Sequence, residues 1–210
     1  MKKPHLLLLR FSALGDVAMT VPVIRCLYKS YPNLKITFVS RTYLEPLFEE
    51  FENFNFYPID TGVRHKGVKG IWTLFSELKK TPFSGVADLH GVLRTYLLSF
   101  LFTTTFFRVK QINKGRIAKH RLIREKNKKF QPLTPTIFRY ADVFRKLGFS
   151  INIEDHEFPD KKPIPENFIN LYNQSDRKWI GIAPFASYKG KTYPLDLMQQ
   201  AIAYLQKDYQ

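Results

Sequence analysis

The sequence has little cysteine and no long apolar run. Its single cysteine, Cys26, excludes an internal disulfide and is typical of a protein kept in a reducing compartment. The aliphatic run at residues 6–9 ends at Arg10, which makes it too short for the apolar core of a signal peptide. A second apolar segment, 96–107, contains serine and threonine and is much shorter than a bilayer-spanning helix. The sequence therefore predicts no transmembrane segment.

Acidic side chains are also scarce. The chain has 18 Asp and Glu against 33 Lys and Arg, a formal net charge of +15 and a pI of about 9.8. Such an excess indicates an anionic partner, which can be a nucleic acid, a phosphorylated glycan, a nucleotide or a membrane surface. Between Arg108 and Lys129 there are ten basic residues and one acid, Glu125. This stretch is interpreted either as a binding patch or as a solvated face.

Hydrophobic residues are plentiful, at 44% of 210 residues, and they form alternating strand and helix patterns. The predicted strands are 5–11, 35–40, 54–59, 85–89 and 107–112. The predicted helices are 21–31, 43–51, 71–80, 93–102 and 134–147, the last with Thr134 as its cap and Pro135 at its first position. This alternation predicts an α/β fold with a Rossmann-like, doubly wound and mostly parallel sheet.

The chain is predicted to contain one domain and the beginning of another. Residues 1–148 form the first domain, and the acidic, proline-bearing segment 149–165 is a linker. Residues 166–210 are predicted to begin a second Rossmann-like domain, with a helix at 166–173, a strand at 179–185 and a helix at 195–207. A single βα unit cannot bury both of its faces, so we expect this second domain to be truncated.

The loop at 12–19 carries a carboxylate between a strand and a helix. An aspartate there is most often a helix N-cap. Pro22 argues against that role for Asp16, because a proline six residues inside a helix removes a hydrogen bond and clashes with the preceding turn. We expect the helix to begin near Thr20, with Thr20 as its cap. Asp16, beside the small Gly15, is then available as a general base.

Two further loops are candidates for chemistry. Asp88 needs a buried partner or a ligand, and His90 beside it is either a proton carrier or a hydrogen-bonded structural residue. In the loop 184–194, Ser187, Lys189 and Lys191 precede a helix and form a candidate phosphate site, although a solvated surface loop remains an equal alternative. The histidines have no metal-ligand spacing, so no zinc site is predicted.

Taken together, these loops resemble the bacterial lipopolysaccharide heptosyltransferases, glycosyltransferase family 9. The resemblance rests on Arg-Phe-Ser-Ala-Leu-Gly-Asp-Val at 10–17, Thr-Val-Pro at 20–22, Asp-Leu-His-Gly at 88–91 with Arg94, and Lys-Thr-Tyr-Pro at 191–194. It extends along nearly the whole chain. It implies a GT-B fold, two Rossmann-like domains facing across a cleft, and an inverting transfer that needs neither a metal nor another cofactor.

The resemblance also implies roles for particular residues. Asp16 is expected to be the base that deprotonates the acceptor sugar, and Ser187, Lys189 and Lys191 to hold the phosphates of an ADP-heptose donor. The expected acceptor is an anionic, lipid-linked glycan of the Kdo-lipid A type. Its expected contacts are Ser12, Gly15, Arg64, Lys66, Lys69, His90 and Arg94, with the basic stretch 108–129. A cytoplasmic enzyme, peripheral at the inner face of the membrane, is expected.

One departure and three alternatives accompany this reading. The family's Asp-Thr-Gly-x-x-His donor motif has no counterpart in the sequence, so the chain is expected to be a fragment, a truncated product or a half that needs its other half. The alternatives are a related GT-B enzyme with another nucleotide sugar, an inactive remnant, and a basic nucleic-acid-binding protein. The sequence has no helix-turn-helix, RNA-recognition or zinc signature, so no nucleic acid partner is predicted.

Overall fold

The chain forms two compact units, Met1–Phe158 and Pro159–Gln210. The computed structural model describes residues 3–128, 130–161, 163–166, 168–169, 180–186, 188–207 and 209. The break between the units falls inside the predicted linker, and the first part of that segment packs on the first unit through the buried Ile153. The predicted domain boundaries themselves stay a prediction.

The first unit is built on one five-stranded sheet. Its strands are β1 (His5–Leu9), β2 (Lys35–Ser40), β3 (Phe54–Pro58), β4 (Gly85–Asp88) and β5 (Val109–Gln111). They lie in the order β3-β2-β1-β4-β5, and every neighbouring pair is parallel. In the central strand, Leu8 lies opposite Phe38 on one side and Ala87 on the other. The predicted doubly wound α/β fold is confirmed.

Helices cover both faces of this sheet. They are α1 (Leu14–Ala18), α2 (Thr20–Ser30), α3 (Gly67–Leu78), α4 (Leu93–Thr104), α5 (Arg116–Ile123) and α6 (Thr136–Leu147), with short 3₁₀ helices at Thr42–Phe48 and Ile153–Asp155. Within the described ranges, none of the helices has the length and apolar character needed to cross a membrane.

The core is divided by the sheet into two layers. Side chains alternate along a strand, so Leu6 and Leu8 of β1 pack in the layer with α2 and α6, whereas Leu7 and Leu9 pack in the layer with α3 and α4. All four leucines are fully buried. A strand buried on both faces is apolar at its buried positions, which is why residues 6–9 of β1 are all leucines.

Two local expectations about helix starts are wrong. The segment expected to be a loop contains α1, and Thr20 begins α2 as predicted but its hydroxyl donates to the Val17 carbonyl instead of capping. In α6, Pro135 is itself the N-cap residue and the helix begins at Thr136, so Thr134 does not cap it. In α2 the N-cap residue Met19 itself has helical dihedral angles, because α1 runs directly into α2.

The second unit is described in part. Its helix α7 (Leu195–Leu205) follows Pro194, close to the predicted 195–207. The predicted helix at 166–173 lies for the most part outside the described residues. Of the predicted strand at 179–185, residue 179 lies outside them, and 180–185 is not a strand. A strand requires hydrogen bonds from a neighbouring strand, and the described part of this unit supplies none to that segment.

Candidate active site

The order of the strands places the candidate site. From β1 the chain moves outward to β2 and β3 and then returns to the other side of β1 to form β4. At such a reversal the connections leave in opposite directions, and a crevice opens beyond the carboxyl ends of the two central strands. Asp16 lies in the segment that follows β1, Asp88 ends β4, and His90 lies in the segment that follows it. These are the residues that the sequence analysis predicts to be functional.

Asp16 is held at this crevice by Arg10. The Arg10 side chain is only 7% exposed, whereas that of Asp16 is 43% exposed. Arg10 Nη2 donates to Asp16 Oδ2 in a charge-assisted hydrogen bond, and Nη1 donates to the Leu89 carbonyl at 2.9 Å. The Tyr140 hydroxyl donates to the Asp16 backbone carbonyl at 3.1 Å. The carboxylate is therefore fixed in position and still open to a substrate.

Asp88 has a different environment. It is fully buried, and its Oδ1 accepts the backbone N–H groups of His90 and Gly91, both at 2.9 Å. Burial raises the pKa of the Asp88 carboxyl, and those two N–H groups oppose the shift. Gly91 has a φ of +58°, a conformation that costs other residues free energy. Asp88 thus shapes the turn that presents His90.

His90 lies next to Phe11, with the two ring centroids 5.7 Å apart in an edge-to-face arrangement. Burial lowers the pKa of His90 to about 4, and the charges of Arg10 and Lys114 add to the effect. The ring is therefore neutral at neutral pH. Its Nδ1 is buried and has no hydrogen-bond partner among the described residues.

A cationic cavity of about 400 Å³ adjoins Asp16. Its charged lining consists of Arg10, Lys114, Lys119 and Arg139 beside the single carboxylate. Burial lowers the pKa of Lys114, and the neighbouring Arg10 and Arg116 add to that shift. Four cations around one acid leave a net positive cavity, which favours an anionic ligand next to Asp16.

Arg139 gives this cavity its shape. Its Nη1 donates to the Asn113 carbonyl and its Nε to the Thr134 carbonyl, both at 2.8 Å. These bonds join the segment after β5 to the segment before α6. Gly115 lies against the guanidinium, where an added Cβ would come within 2.2 Å of Nη1.

A second cavity, of about 590 Å³, lies on the other side of the His90 turn. It brings together three predicted acceptor contacts, Ser12, His90 and Arg94. The rest of its lining is mainly apolar and comes from α3 and α4, including Val68, Ile71, Leu93 and Leu97. Asp16 therefore lines a cationic cavity, and Phe11 and Ser12, a few residues before it, line a second and more apolar cavity.

Other predicted contacts lie elsewhere. Arg64 is paired with Glu77, its Nε 3.1 Å from Oε1. Lys66 precedes α3, Lys69 lies in its first turn, and both are exposed, as is Gly15 in α1. In the second unit, Ser187 lies outside the described residues. Lys189 and Lys191 belong to an exposed 3₁₀ turn, with Lys191 Nζ 5.6 Å from the centre of the Tyr188 ring.

Sequence reasoning missed the residues that organise the site. Arg10 belongs to the motif at 10–17, but the sequence predicts no role for it, and it predicts none for Arg139. The sequence does contain a signal for Arg10, because it directly follows a buried strand and a buried charge needs a partner close by. No local signal marks Arg139: both of its partners are backbone carbonyls, which any residue supplies, and one of them, that of Asn113, is 26 residues away.

No family model matches the chain. It is 25% identical over 205 residues to the lipopolysaccharide core heptosyltransferase OpsX of Haemophilus influenzae, covering 91% of this chain and 54% of that protein. The comparison confirms the predicted resemblance to the lipopolysaccharide heptosyltransferases. The chain thus spans about half the length of the curated relative it matches.

Solved structures confirm the fold. A glycosyltransferase family 9 protein from Veillonella parvula superposes with a TM-score of 0.71 at 19% identity, over 100% of this chain and 62% of that one. The E. coli heptosyltransferase WaaC with ADP-2-deoxy-2-fluoro heptose gives a TM-score of 0.61 at 14% identity, over 96% and 65%. The comparisons therefore confirm the predicted GT-B fold class, and the chain covers 62% and 65% of these two structures.

Proposed function

We propose that this chain forms the acceptor-side half of an inverting glycosyltransferase that moves a heptose from ADP-heptose to an inner-core lipopolysaccharide acceptor. One observation carries the proposal: a partly exposed carboxylate, Asp16, is fixed by the buried Arg10 at the carboxyl ends of the central strands, beside a cationic cavity. The similarity to OpsX supports the substrate class, and it favours a glycosyltransferase over a nucleic-acid-binding protein.

The transfer requires one base and one leaving group. Asp16 accepts the proton of the acceptor hydroxyl as that oxygen attacks the anomeric carbon, and the bond from this carbon to the phosphate oxygen breaks with its electron pair leaving on ADP. Attack opposite the leaving group inverts the anomeric carbon. Arg10 binds Oδ2 of Asp16, so within the described structure Oδ1 is available to the hydroxyl.

The cationic cavity fits an anionic acceptor. A Kdo-lipid A type glycan carries carboxylates and phosphates close to the hydroxyl that reacts. Lys114, Lys119 and Arg139 line the cavity that contains Asp16, so they can bind such a group while the hydroxyl reaches the base. A fixed cation orients an acidic sugar more strongly than it would bind a neutral one.

The donor side belongs to the second unit. Ser187, Lys189 and Lys191 are proposed to bind the diphosphate, with the two lysines offsetting the charge that a metal would neutralise in other transferases. In the described residues, no group of three His, Cys, Asp or Glu side chains is arranged to hold a metal ion. A cytoplasmic enzyme at the inner membrane surface agrees with the substrates and with the net charge of +15.

The test is a transfer assay on the protein as its gene encodes it. A deacylated Kdo disaccharide core serves as the acceptor, because it stays in solution, and ADP-heptose, UDP-glucose and GDP-mannose are offered as donors. We expect ADP release and a product heavier by one heptosyl residue with ADP-heptose alone. The anomeric configuration of the product, measured by NMR coupling, should be opposite to that of the donor.

Three results would contradict the proposal. Transfer from UDP-glucose or GDP-mannose in preference to ADP-heptose would identify a related enzyme with another donor. A product with retained configuration would exclude Asp16 as the base of a single displacement. A folded protein that includes a complete donor domain and transfers no sugar from any of the three donors would exclude the proposed activity.

A further inference from the structure

An exposed apolar surface runs along α3 and α4. Val68 and Trp72 are 71% and 56% exposed on α3, and Leu93 and Phe100 are 85% and 62% exposed on α4. Their spacings of four and seven residues place each pair along one side of its helix. The two helices pack against each other, and Val68 and Leu93 line the same cavity beside His90. We call these four residues the α3–α4 ridge.

The segments around the ridge are free of acidic residues. Residues 61–76 and 91–111 contain no Asp or Glu. Their basic residues are Arg64, Lys66, Lys69, Arg94, Arg108 and Lys110. Glu77, one residue beyond, is already engaged by Arg64 and His65. Arg64 is thereby paired, and Asp60 just before the first segment accepts backbone N–H groups of residues 62–64. Lys66, Lys69 and Arg94 remain as the bases closest in sequence to the ridge, and an apolar ridge with such bases complements a surface that combines negative charge with an apolar interior.

The helix layer on the opposite face of the sheet, which contains α2 and α6, has a different distribution of charged residues. There α2 carries mixed charges in pairs, Arg25 with Glu50 and Lys29 with Glu157. Paired charges of opposite sign give no net attraction to an anionic surface. The same layer also includes α6, whose Arg139 lines the cationic cavity beside Asp16. What distinguishes the α3–α4 side is therefore the combination of exposed apolar side chains with nearby bases.

We propose that the α3–α4 ridge docks on an anionic lipid bilayer, with Trp72 at the level of the headgroups. Large exposed apolar patches mark partner or membrane surfaces, and tryptophan is enriched where lipid meets water. The inference rests on the proposed function in one respect, since a membrane-embedded acceptor gives the docking its purpose. Docking by this ridge places the mouth of the 590 Å³ cavity, lined by Val68 and Leu93, against the lipid surface.

Tryptophan fluorescence tests the docking directly. The chain has two tryptophans, Trp72 and Trp179, so the Trp179→Phe variant reports on Trp72 alone. Vesicles of phosphatidylcholine with phosphatidylglycerol should shift its emission to shorter wavelength, and lipids brominated near the headgroup should quench it. Vesicles of pure phosphatidylcholine should have little effect, because the flanking bases then gain no attraction.

Vesicle co-sedimentation with matched variants tests the ridge itself. The Leu93→Ser/Phe100→Ser double variant should bind anionic vesicles about tenfold more weakly, because two exposed apolar side chains no longer enter the bilayer. Phe158→Ser is the control: Phe158 is 88% exposed beside His156, which contacts α2 of the opposite layer. That variant should bind as the parent chain does.

Several outcomes would overturn the proposal. Trp72 emission unchanged by anionic vesicles would do so, as would equal loss of binding in the ridge and control variants. If sedimentation shows a dimer that Trp72→Ser converts to a monomer, the ridge binds a second copy of the chain instead. Transfer to the deacylated acceptor does not require vesicles. A parent chain that transfers sugar but does not bind anionic vesicles would therefore refute the docking and leave the proposed function standing.

Discussion

Two aspartates follow or end adjacent parallel strands of this protein, and their surroundings are opposite. Asp16 follows β1, is 43% exposed at its side chain and is paired with one buried arginine. Asp88 ends β4, is fully buried and accepts two backbone N–H groups. Both are aspartates near the carboxyl ends of adjacent parallel strands, Asp16 in the helix that follows β1 and Asp88 as the last residue of β4. Their environments therefore decide their roles.

This difference indicates a structural role for the buried Asp88 and a catalytic role for the partly exposed Asp16. A buried acid that accepts backbone hydrogen bonds stabilises a turn, because its removal leaves those N–H groups without a partner. A partly exposed acid held by a single cation keeps an oxygen available for a substrate. A substitution at Asp16 should therefore lower the transfer rate and leave stability nearly unchanged. A substitution at Asp88 should lower the free energy of unfolding.

The largest effect is expected from Asp16→Asn. The amide keeps the shape and one oxygen for Arg10 but cannot accept a proton, so the transfer rate should fall by about 10³-fold with the melting temperature nearly unchanged. Asparagine is preferable to alanine here, because alanine would leave the buried Arg10 charge without a partner. Rate and melting temperature should be measured on one preparation. A variant that loses stability but keeps its rate would make Asp16 structural.

The second effect is a loss of stability in Asp88→Ala. The substitution removes the acceptor of the His90 and Gly91 N–H groups, so the free energy of unfolding should fall by about 2–4 kcal/mol. Asp88→Asn keeps an acceptor oxygen and should lose less than half as much. Urea denaturation of the three proteins measures this difference. Equal stabilities for the parent and the alanine variant would show that the turn does not depend on Asp88.

Sequence reasoning located this pair because of a general property of parallel sheets. Their functional loops follow the carboxyl ends of strands, and strands buried on both faces, such as β1, are easily recognised as aliphatic runs. The approximate bounds of the strands and of α2, α4 and α6 were predictable for the same reason. The five-residue α1 was not, because so short a helix shows no periodicity.

The residues that line the cationic cavity were less predictable from the sequence. Lys114 and Lys119 were recognised as part of a basic stretch, but nothing in that stretch indicates that they approach Asp16, about a hundred residues earlier. Arg139 reaches the site because α6 packs beside β5 and β4. Such long-range packing depends on the whole core, and local spacing contains no information about it.

The third effect is a pH dependence of stability that originates at His90. Its pKa is about 4 in the folded chain against an ordinary 6.5, so the unfolded chain alone binds a proton between these values. Stability is therefore full above pH 6.5 and falls as the pH approaches 4. After discounting for partial exposure of the ring, the loss should be about 2 kcal/mol.

The control for this pH dependence is His90→Gln. Asp88, whose pKa is raised, titrates in the opposite sense at low pH, so the parent and the variant must be compared at each pH. Their difference in unfolding free energy should change by the stated amount between pH 7 and pH 4. A constant difference would mean that His90 is protonated as readily in the folded chain as in the unfolded one.

The smallest effect on stability compares the glycines beside the two aspartates. Gly15 lies in α1 with open space around its Cβ position, so Gly15→Ala should raise the free energy of unfolding by about 0.5 kcal/mol through helix propensity. Gly91→Ala should lower it by about 1–2 kcal/mol, because φ is +58° and Ile112 Cγ2 would lie 3.1 Å from the new Cβ. If the acceptor approaches Asp16 over Gly15, the more stable Gly15→Ala enzyme should nevertheless show a raised KM for the acceptor. An unchanged KM would place the acceptor on the other side of Asp16, toward Lys114 and Arg139.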